Sequence, residues 1–373
     1  MAPKRFTHQK GRVTMKKTSM GLTLIYALGV FCLSLFGFAD ATQAKTFRYA
    51  AHGSPKGVRA DAVKWWAKEI EKQTRGKIKI KFFWSGSLLK PGDAMEGIGR
   101  GTANVGGGWG IYHPAKTPLW TVADPPFSHS DPYVGLKTMQ EMYKTYEPMQ
   151  DELTKYNVKL LAPFASGMTQ LGTGKGVNPI LTPKDANGLK VRFAGGQWAK
   201  FWQSCQAVPV KLTQGEVYEG LMRGTVDATQ SYFFILEAYK HWDVIKNYSV
   251  VNAGELCSYG LIINLDDWKE LSPELQKIFT KVSDEFVLKY AKGLIDNRKR
   301  IRKLGREKGM VFHDLTKEQM AKWQEKAAPL MAKWVEFMKE KGLPGAETQA
   351  MFIKLRDKYA AEIAEKGYPW DSK

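Results

Sequence analysis

The chain has 373 residues, of which 43% are hydrophobic, and its 56 Lys and Arg against 37 Asp and Glu give a formal net charge of +19. This composition is that of a soluble globular protein, and the length suits two lobes better than one oversized core. Six basic residues and one acidic residue in residues 1–44 contribute +5, so +14 of the +19 remains without them. The basic residues are spread over many predicted helices, which argues against a nucleic-acid-binding surface.

The N-terminal segment has the features of a signal peptide. Lys16 and Lys17 precede a charge-free run over residues 18–39, and small residues follow up to Ala44. We expect cleavage after Ala44, or after Ala41, and export of the mature chain to the periplasm. The alternative is an uncleaved membrane anchor, because about 20 apolar residues can span a bilayer. The small-residue ending favours cleavage.

The residues after this segment alternate between helix and strand patterns. Hydrophobic periodicity and glycine breaks predict a β-α-β-α-β unit, followed by a helical stretch and a further strand. The predicted elements are strand 46–51, helix 59–74, strand 77–83, helix 92–100, strand 103–107, helical residues 132–156 and strand 158–164. Residues 165–167 are then expected to cross into a second lobe.

The second predicted lobe is followed by a return to the first. Its elements are strand 189–193, a helix from about residue 197, helix 215–223 and strand 225–229. Strand 258–264 returns to the first lobe, helices within 273–305 bridge the two, and helices from residue 317 onward pack on the core. Several crossings between lobes imply a hinge, so closure around a ligand is the expected motion.

Arg192 is the leading candidate for a functional residue. It lies at the end of strand 189–193, before the break at Gly195 and Gly196, where a strand's carboxyl end opens into a crevice. A guanidinium presents a planar donor fork that can hold a carboxylate through two hydrogen bonds. From its position alone, a surface salt bridge is an equal alternative.

Four segments form an ordered set of motifs. They are EGIGRGTANVG at 96–106, DPPF at 124–127, GLKVR at 188–192 and EVYEGLMRGTVD at 216–227. Together they resemble the DctP-type extracytoplasmic solute-binding proteins of TRAP transporters, over about residues 46–345. In that family the arginine of the third motif is nearly universal, and the fourth motif leads to a ligand-facing strand end.

The resemblance implies an α/β fold of two-lobed periplasmic-binding-protein (Venus flytrap) architecture, with interlobe crossings and long bridging helices. Lobe I is expected at 45–165 plus about 256–298 and lobe II at 166–255 plus about 299–345, with a C-terminal helical extension at 346–373. The implied function is capture of a small organic anion, a carboxylate or sulfonate, and its delivery to a TRAP membrane permease. We expect a monomer with no cofactor and no metal.

Two positions depart from the family's pattern. Where many carboxylate-binding members have a second arginine, this chain has Gly167, Met168 and Thr169, and Ser231 stands where an asparagine often binds the ligand. Thr169 and Ser231 keep hydrogen-bonding ability but not the second charge. The pocket is therefore expected to take a smaller or differently shaped anion than the well-studied dicarboxylates and sugar acids.

Further candidate residues follow predicted strand ends or begin helices. The glycine-rich loop 106–112 lacks the lysine of a P-loop, and its aromatic residues are expected to form a wall of the cleft. For each candidate below, packing or a turn role is the alternative to ligand contact. The candidates are His52, Trp84, Trp109, Tyr112, Gln214, Tyr232 and Phe233.

Nothing in the motif inventory indicates catalysis. There is no GxSxG, HExxH or CxxC pattern, and no Cys/His spacing typical of a metal site. Cys205 and Cys257 either pair in an oxidising compartment or stay as buried free thiols. The alternatives to a transport function are a periplasmic ligand-sensing subunit of a receptor and, with little support, a two-lobed periplasmic enzyme.

Overall fold

The computed structural model describes residues 44–371, so the predicted signal peptide lies outside the described residues. The strands are β1 (Lys45–Ala50), β2 (Ile78–Phe83), β3 (Val105–Trp109), β4 (Val158–Phe164), β5 (Gln170–Gly174), β6 (Lys190–Phe193), β7 (Val208–Lys211), β8 (Ala228–Ser231), β9 (Ile245–Val250), β10 (Tyr259–Asn264) and β11 (Val311–Asp314). They form one sheet in the order β2-β1-β3-β10-β4 and another in the order β11-β9-β5-β8-β6-β7.

The helices connect and flank these strands. They are α1 (Val58–Gln73), α2 (Ala94–Gly99), α3 (Pro132–Thr145), α4 (Glu147–Thr154), α5 (Trp198–Ser204), α6 (Val217–Met222), α7 (Phe233–Ala238), α8 (Leu265–Glu270), α9 (Pro273–Glu307), α10 (Lys317–Ala327), α11 (Leu330–Glu340) and α12 (Gly345–Lys366). Among the described helices, none combines the length and apolarity that crossing a lipid bilayer requires.

The chain passes repeatedly between the two sheets. In the first sheet β1 is parallel to β2 and β3, and β10 returns from the second sheet to pair antiparallel with β3 and β4. The predicted α/β fold with two lobes and interlobe crossings is confirmed. The residue at which one lobe ends and the other begins stays a prediction.

Helix α9 joins the two lobes. It contains 35 residues, so its length is about 50 Å at 1.5 Å per residue. It packs on α1, α3 and β4 at the first sheet and on α7 and β11 at the second. The indole of the fully buried Trp66 on α1 donates a hydrogen bond to Ser283 Oγ of α9 at 3.1 Å. Because both lobes pack on this one helix, bending at the crossings need not break either core.

The C-terminal helices are shared between the lobes. Trp323 of α10 donates its indole N–H to the carbonyl of Leu181, 2.9 Å away, beside the second sheet. Trp334 of α11 instead donates to Thr121 Oγ1, at 2.8 Å, in the 3₁₀ turn Leu119–Ala123 beside the first sheet. The two tryptophans therefore do pack on the core as expected, but they pack on different lobes.

Candidate ligand-binding site

Arg192 is fully buried in the second sheet, one strand in from the edge. It lies on β6 in register with Val210 of β7 and Thr229 of β8. Its Nε donates a hydrogen bond to the carbonyl of Leu212 at 2.9 Å. Within residues 44–371, Nη1 and Nη2 have no hydrogen-bond partner and the guanidinium forms no ion pair. The side chain thus holds a buried positive charge and two unused donor groups at one point.

A cavity of about 30 Å³ adjoins Arg192 between the lobes. Its walls come from both sheets and from both crossings, at Ser166 and Leu256, and most of the lining is aromatic or aliphatic. The lining residues are His52, Arg59, Ile111, Tyr112, Ser166, Arg192, Ala194, Gln214, Tyr232, Phe234, Ile235, Leu256 and Tyr259. Small-molecule sites measure about 300–1,000 Å³. The lobes must therefore separate before an organic solute can enter.

Arg59 supplies a second guanidinium to this cavity from the opposite lobe. It is the second residue of α1, and its Cζ lies 5.7 Å from the ring centroid of Phe234, a cation–π distance. Burial alone would lower the pKa of Arg59, but four neighbouring tyrosines raise it above its usual value: Tyr259, Tyr290, Tyr239 and Tyr49. The cleft therefore contains a second guanidinium, at a position other than Thr169.

His52, His241 and Tyr232, which lie near the two arginines, are neutral at pH 7. Burial and Arg59 hold the pKa of His52 well below its usual range. Burial and Arg192 lower the pKa of His241 to about 3, while burial raises the pKa of Tyr232 to about 12 against the opposing effect of Arg192. None of the residues that line the cavity is acidic, so the site has net positive charge.

Several predicted polar residues lie close by with spare hydrogen-bonding capacity. Gln214 lines the cavity, and its Nε2 has no hydrogen-bond partner in the described part of the chain. Thr169 is fully buried before β5, and its Oγ1 is likewise unpartnered. Ser231 is fully buried at the end of β8. Thr169 and Ser231 do not line the cavity in this arrangement, so their contact with a ligand stays a prediction.

The remaining candidates have different surroundings. Tyr112, His52 and Tyr232 line the cavity beside Arg192. Trp84 lines a smaller neighbouring cavity of about 20 Å³ and stacks on Phe82 with ring centroids 4.9 Å apart.

Phe233 and Trp109 complete the set. Phe233 packs in the second hydrophobic core, and the next residue, Phe234, faces the cleft instead. Trp109 ends β3, where its backbone pairs with Tyr259, and its side chain lies outside what the structure describes.

A buried cluster at the second crossing could be taken for a metal site. His129 Nε2 lies 3.3 Å from Glu255 Oε2 and 4.0 Å from Cys257 Sγ. Burial raises the pKa of both Glu255 and Cys257, and a protonated thiol is a poor metal ligand. A Cβ at Gly135 would overlap His129 Nε2, so helix α3 closes over this atom. We interpret the cluster as a hydrogen-bonded structural pair beside a free thiol; Cys205 is likewise free and buried.

The chain was compared with known protein families. Residues 49–337 match the family model described as bacterial extracellular solute-binding protein, family 7, known as DctP. The chain belongs to the DctP family. The family predicted from the four motifs is therefore confirmed, and the members of this family are solute-binding proteins rather than enzymes.

Individual relatives are distant in sequence and similar in structure. The C4-dicarboxylate-binding periplasmic protein DctP of Vibrio cholerae is 25% identical over 293 residues, covering 77% of this chain and 83% of its own. A TRAP solute-binding protein from Rhodoferax ferrireducens, solved with copurified benzoate, has a TM-score of 0.79 at 19% identity and covers 85% of this chain and 99% of its own. A Bordetella bronchiseptica protein solved with bound (R)- and (S)-mandelate has a TM-score of 0.75 at 21% identity and covers 84% of this chain and 99% of its own. These structures share the fold of this DctP-family chain.

Proposed function

We propose that this DctP-family protein captures a small organic anion between its lobes and delivers it to a TRAP-type permease. The observation that carries the proposal is the pair of unpartnered, fully buried Arg192 nitrogens. Leaving a buried charge unpaired costs several kcal/mol, and a carboxylate between the lobes would offset this cost through two charge-assisted hydrogen bonds. The ligand thereby stabilises the closed arrangement by binding it more tightly than the open one.

The walls of the cavity favour an anion with a compact, flat, apolar body. Tyr112, Tyr232 and Phe234 present ring surfaces, and Ile111 and Ile235 add aliphatic ones. The relatives solved with benzoate and with mandelate bind carboxylates of this kind. We therefore propose an aromatic or similarly apolar monocarboxylate, held at Arg192 and oriented by Arg59 and Gln214.

The same features support a transport role without catalysis. The lowered pKa of His52 makes its imidazole a weak general base, and burial raises the pKa of Tyr112 and Tyr232, so their hydroxyls stay protonated at pH 7 and are poor nucleophiles. One chain supplies every lining residue, so a monomer suffices for capture. We place the mature protein in the periplasm, where the permease would receive its closed form.

Calorimetry and thermal-shift measurements on the chain from Lys45 onward test the proposal. The panel contains benzoate, mandelate, succinate, pyroglutamate and the neutral analogue benzamide. We expect benzoate or mandelate to raise the melting temperature, because a ligand that binds only the native state stabilises it. Arg192→Ala should abolish the shift, whereas Arg223→Ala should keep it, since that arginine is exposed at the C-terminal end of α6. Binding of benzamide, or binding of an anion that is insensitive to Arg192→Ala, would contradict the proposal.

A further inference from the structure

A second and larger cavity lies where the chain crosses between the lobes. We call it the hinge cavity; its volume is about 460 Å³. Gly167 and Met168 of the first crossing line it, as do Val251 and Asn252 of the second. Leu294 and Arg298 of the bridging helix α9 close it on a third side. It therefore contacts both crossings and the bridging helix, whose positions change when the lobes open and close.

Size and lining are those of a small-molecule site. The volume is within the range of about 300–1,000 Å³ typical of ligand pockets. Aromatic and aliphatic side chains dominate the wall, among them Phe127, Phe233, Phe234, Leu294 and Met320. Pockets of this kind combine an apolar wall with a few placed polar groups that fix ligand orientation.

Arg298 is the cationic group of the hinge cavity that has no counter-ion. Its Cζ lies 5.5 Å from the ring centroid of Phe233, and it forms no hydrogen bond or ion pair with any residue between 44 and 371. The nearby carboxylate of Asp314 is held by both terminal nitrogens of Arg302, at 2.9 and 2.5 Å. Burial and the charge of Arg302 lower the pKa of Arg298, as expected for a cation that lacks a partner.

Several other polar groups of this wall already have hydrogen-bond partners. Asp131 Oδ1 accepts the amide of Tyr133 at 2.8 Å, and Oδ2 accepts the hydroxyl of Tyr368 at 2.7 Å. Gln170 and Asn252 bond each other, with Gln170 Nε2 donating to Asn252 Oδ1 at 2.8 Å. An anionic occupant would therefore meet one cation without an ion-pair partner among the described residues, Arg298, and a carboxylate, Asp131, whose two oxygens already accept hydrogen bonds.

Phe234 connects the hinge cavity with the interlobe cleft. Its side chain lines both cavities, lies under the guanidinium of Arg59 and stacks with Tyr232, with ring centroids 6.4 Å apart. Phe127 and Asn252, which line the hinge cavity, have positive φ values of 62° and 49°. Asparagine tolerates a left-handed backbone, but a bulky residue such as Phe127 holds it only where its surroundings enforce it. An occupant that packs on them acts on the hinge itself.

We propose that the hinge cavity is a second ligand site, for a compact and mostly apolar monoanion that Arg298 binds, and that its occupancy alters affinity at the cleft. Coupling of this kind is reciprocal. A ligand in the hinge cavity that favours one arrangement of the hinge changes the affinity of the cleft for its ligand. The cleft ligand changes the affinity of the hinge cavity for its ligand by the same factor. The proposal goes beyond transport of the cleft ligand and does not depend on which solute the cleft takes.

Calorimetry with 4-phenylbutyrate, on protein carrying Arg192→Ala to disable the cleft, tests the site directly. We expect one-site binding that Arg298→Gln weakens by about tenfold or more, because a charge-assisted hydrogen bond is lost. Lys299→Gln, an exposed neighbour on the same helix, is the matched control and should bind as before. Met320→Trp, which fills the cavity from its partly exposed edge on α10, should abolish binding.

The uncharged 4-phenylbutyramide should bind far more weakly than the acid. In protein with an intact cleft, 4-phenylbutyrate should also change the affinity for the cleft ligand, and Arg298→Gln should remove this effect. Absence of binding to the Arg192→Ala protein, or binding that Arg298→Gln and Met320→Trp leave unchanged, would overturn the proposal. Because the cleft is already disabled in this background, neither result bears on the proposed transport function.

Discussion

At the scale of single residues, the two arginines of the cleft differ in how they are held. Arg192 is fixed by its strand and by one hydrogen bond from Nε, which leaves the terminal nitrogens as an oriented fork. Arg59 lies among tyrosines and over the face of Phe234. A rigid fork binds a carboxylate in one geometry. Arg59 instead contributes positive charge from the opposite lobe, so it acts on the ligand once the lobes approach.

The buried His241 gives the fold a pH dependence that can be isolated. Its pKa is about 3 in the folded chain against 6.5 when unfolded. Between these values the unfolded state binds a proton that the native state does not, so stability falls as pH drops below about 6.5. We expect wild type to lose about 2 kcal/mol of unfolding free energy relative to His241→Gln when the pH falls from 7 to 5. Urea denaturation of both proteins at both pH values measures this difference in free energy of unfolding.

The comparison with the variant is needed because other buried groups act in the opposite direction. Burial raises the pKa of Asp124 and of Glu152 to about 7, so the folded state gains protons there over the same interval. These contributions are common to wild type and variant and cancel in the difference. An unchanged difference between pH 7 and pH 5 would show that His241 is not buried in the neutral form.

At the scale of elements, the two lobes meet where the 3₁₀ turn Gly110–Tyr112 faces the end of β6. Lys211 Nζ donates to the carbonyl of Tyr112 at 3.3 Å across this junction. Gly195 lies so close to the carbonyl of Ile111 that an added Cβ would overlap the oxygen. The obstructing atom belongs to the backbone and cannot rotate away, so only glycine permits this approach.

Gly195→Ala should therefore hinder closure while leaving each lobe intact. We expect ligand affinity to fall by about tenfold or more, because only the fraction of molecules that can close is competent to bind. Small-angle scattering should show a smaller ligand-induced decrease in radius of gyration than in wild type. The control is Gly215→Ala, where a Cβ meets no atom within 4 Å. Wild-type affinity in the Gly195→Ala protein would mean that the lobes do not meet here in the bound state.

Sequence patterns predicted the elements better than the orientation of their side chains. The strand predicted at 158–164 has those bounds, because its hydrophobic run is bounded by turn residues. The strand predicted at 225–229 lies at 228–231 instead, since residues 224–227 continue the turn.

Arg192 could be found because its motif places it at a strand end. Phe233 is a predicted cleft residue, but Phe234 lines the cleft cavity instead, because the sequence does not specify which of two adjacent aromatic residues faces the cleft and which the core.

The burial of Arg59 could not be predicted from the sequence for a different reason. A charged residue in the first turn of an amphipathic helix is normally solvated, and the hydrophobic periodicity of the helix assigns it to the polar face. It is partly buried here because Phe234 and Tyr239 of the second lobe approach it from across the cleft. Contacts between lobes depend on how the two halves close, which no local pattern encodes. The position of Arg59, soon after the strand end at His52, was the available signal.

At the scale of the whole molecule, the charge of the two arginines should oppose closure in the absence of ligand. Closing buries Arg192 without an anion on its terminal nitrogens, at a cost of several kcal/mol, and brings the like charge of the partly buried Arg59 towards it. We expect the double variant Arg59→Gln with Arg192→Met to close without ligand, so that its radius of gyration matches that of ligand-bound wild type. The control is Arg100→Gln with Arg223→Met, two exposed arginines, one from each lobe. A double variant as extended as ligand-free wild type would contradict this account.

The buried, unpartnered fork of Arg192 also disfavours closure of an empty carrier. In the proposed transport, a permease that accepts any closed binding protein would then rarely engage an unloaded one. Since only a solute with an anionic group removes the penalty for closing, the shape of the carrier indicates whether it is loaded, and a vacant copy does not compete with a loaded one. Selectivity for anions and discrimination between loaded and vacant carriers then arise from the same side chain.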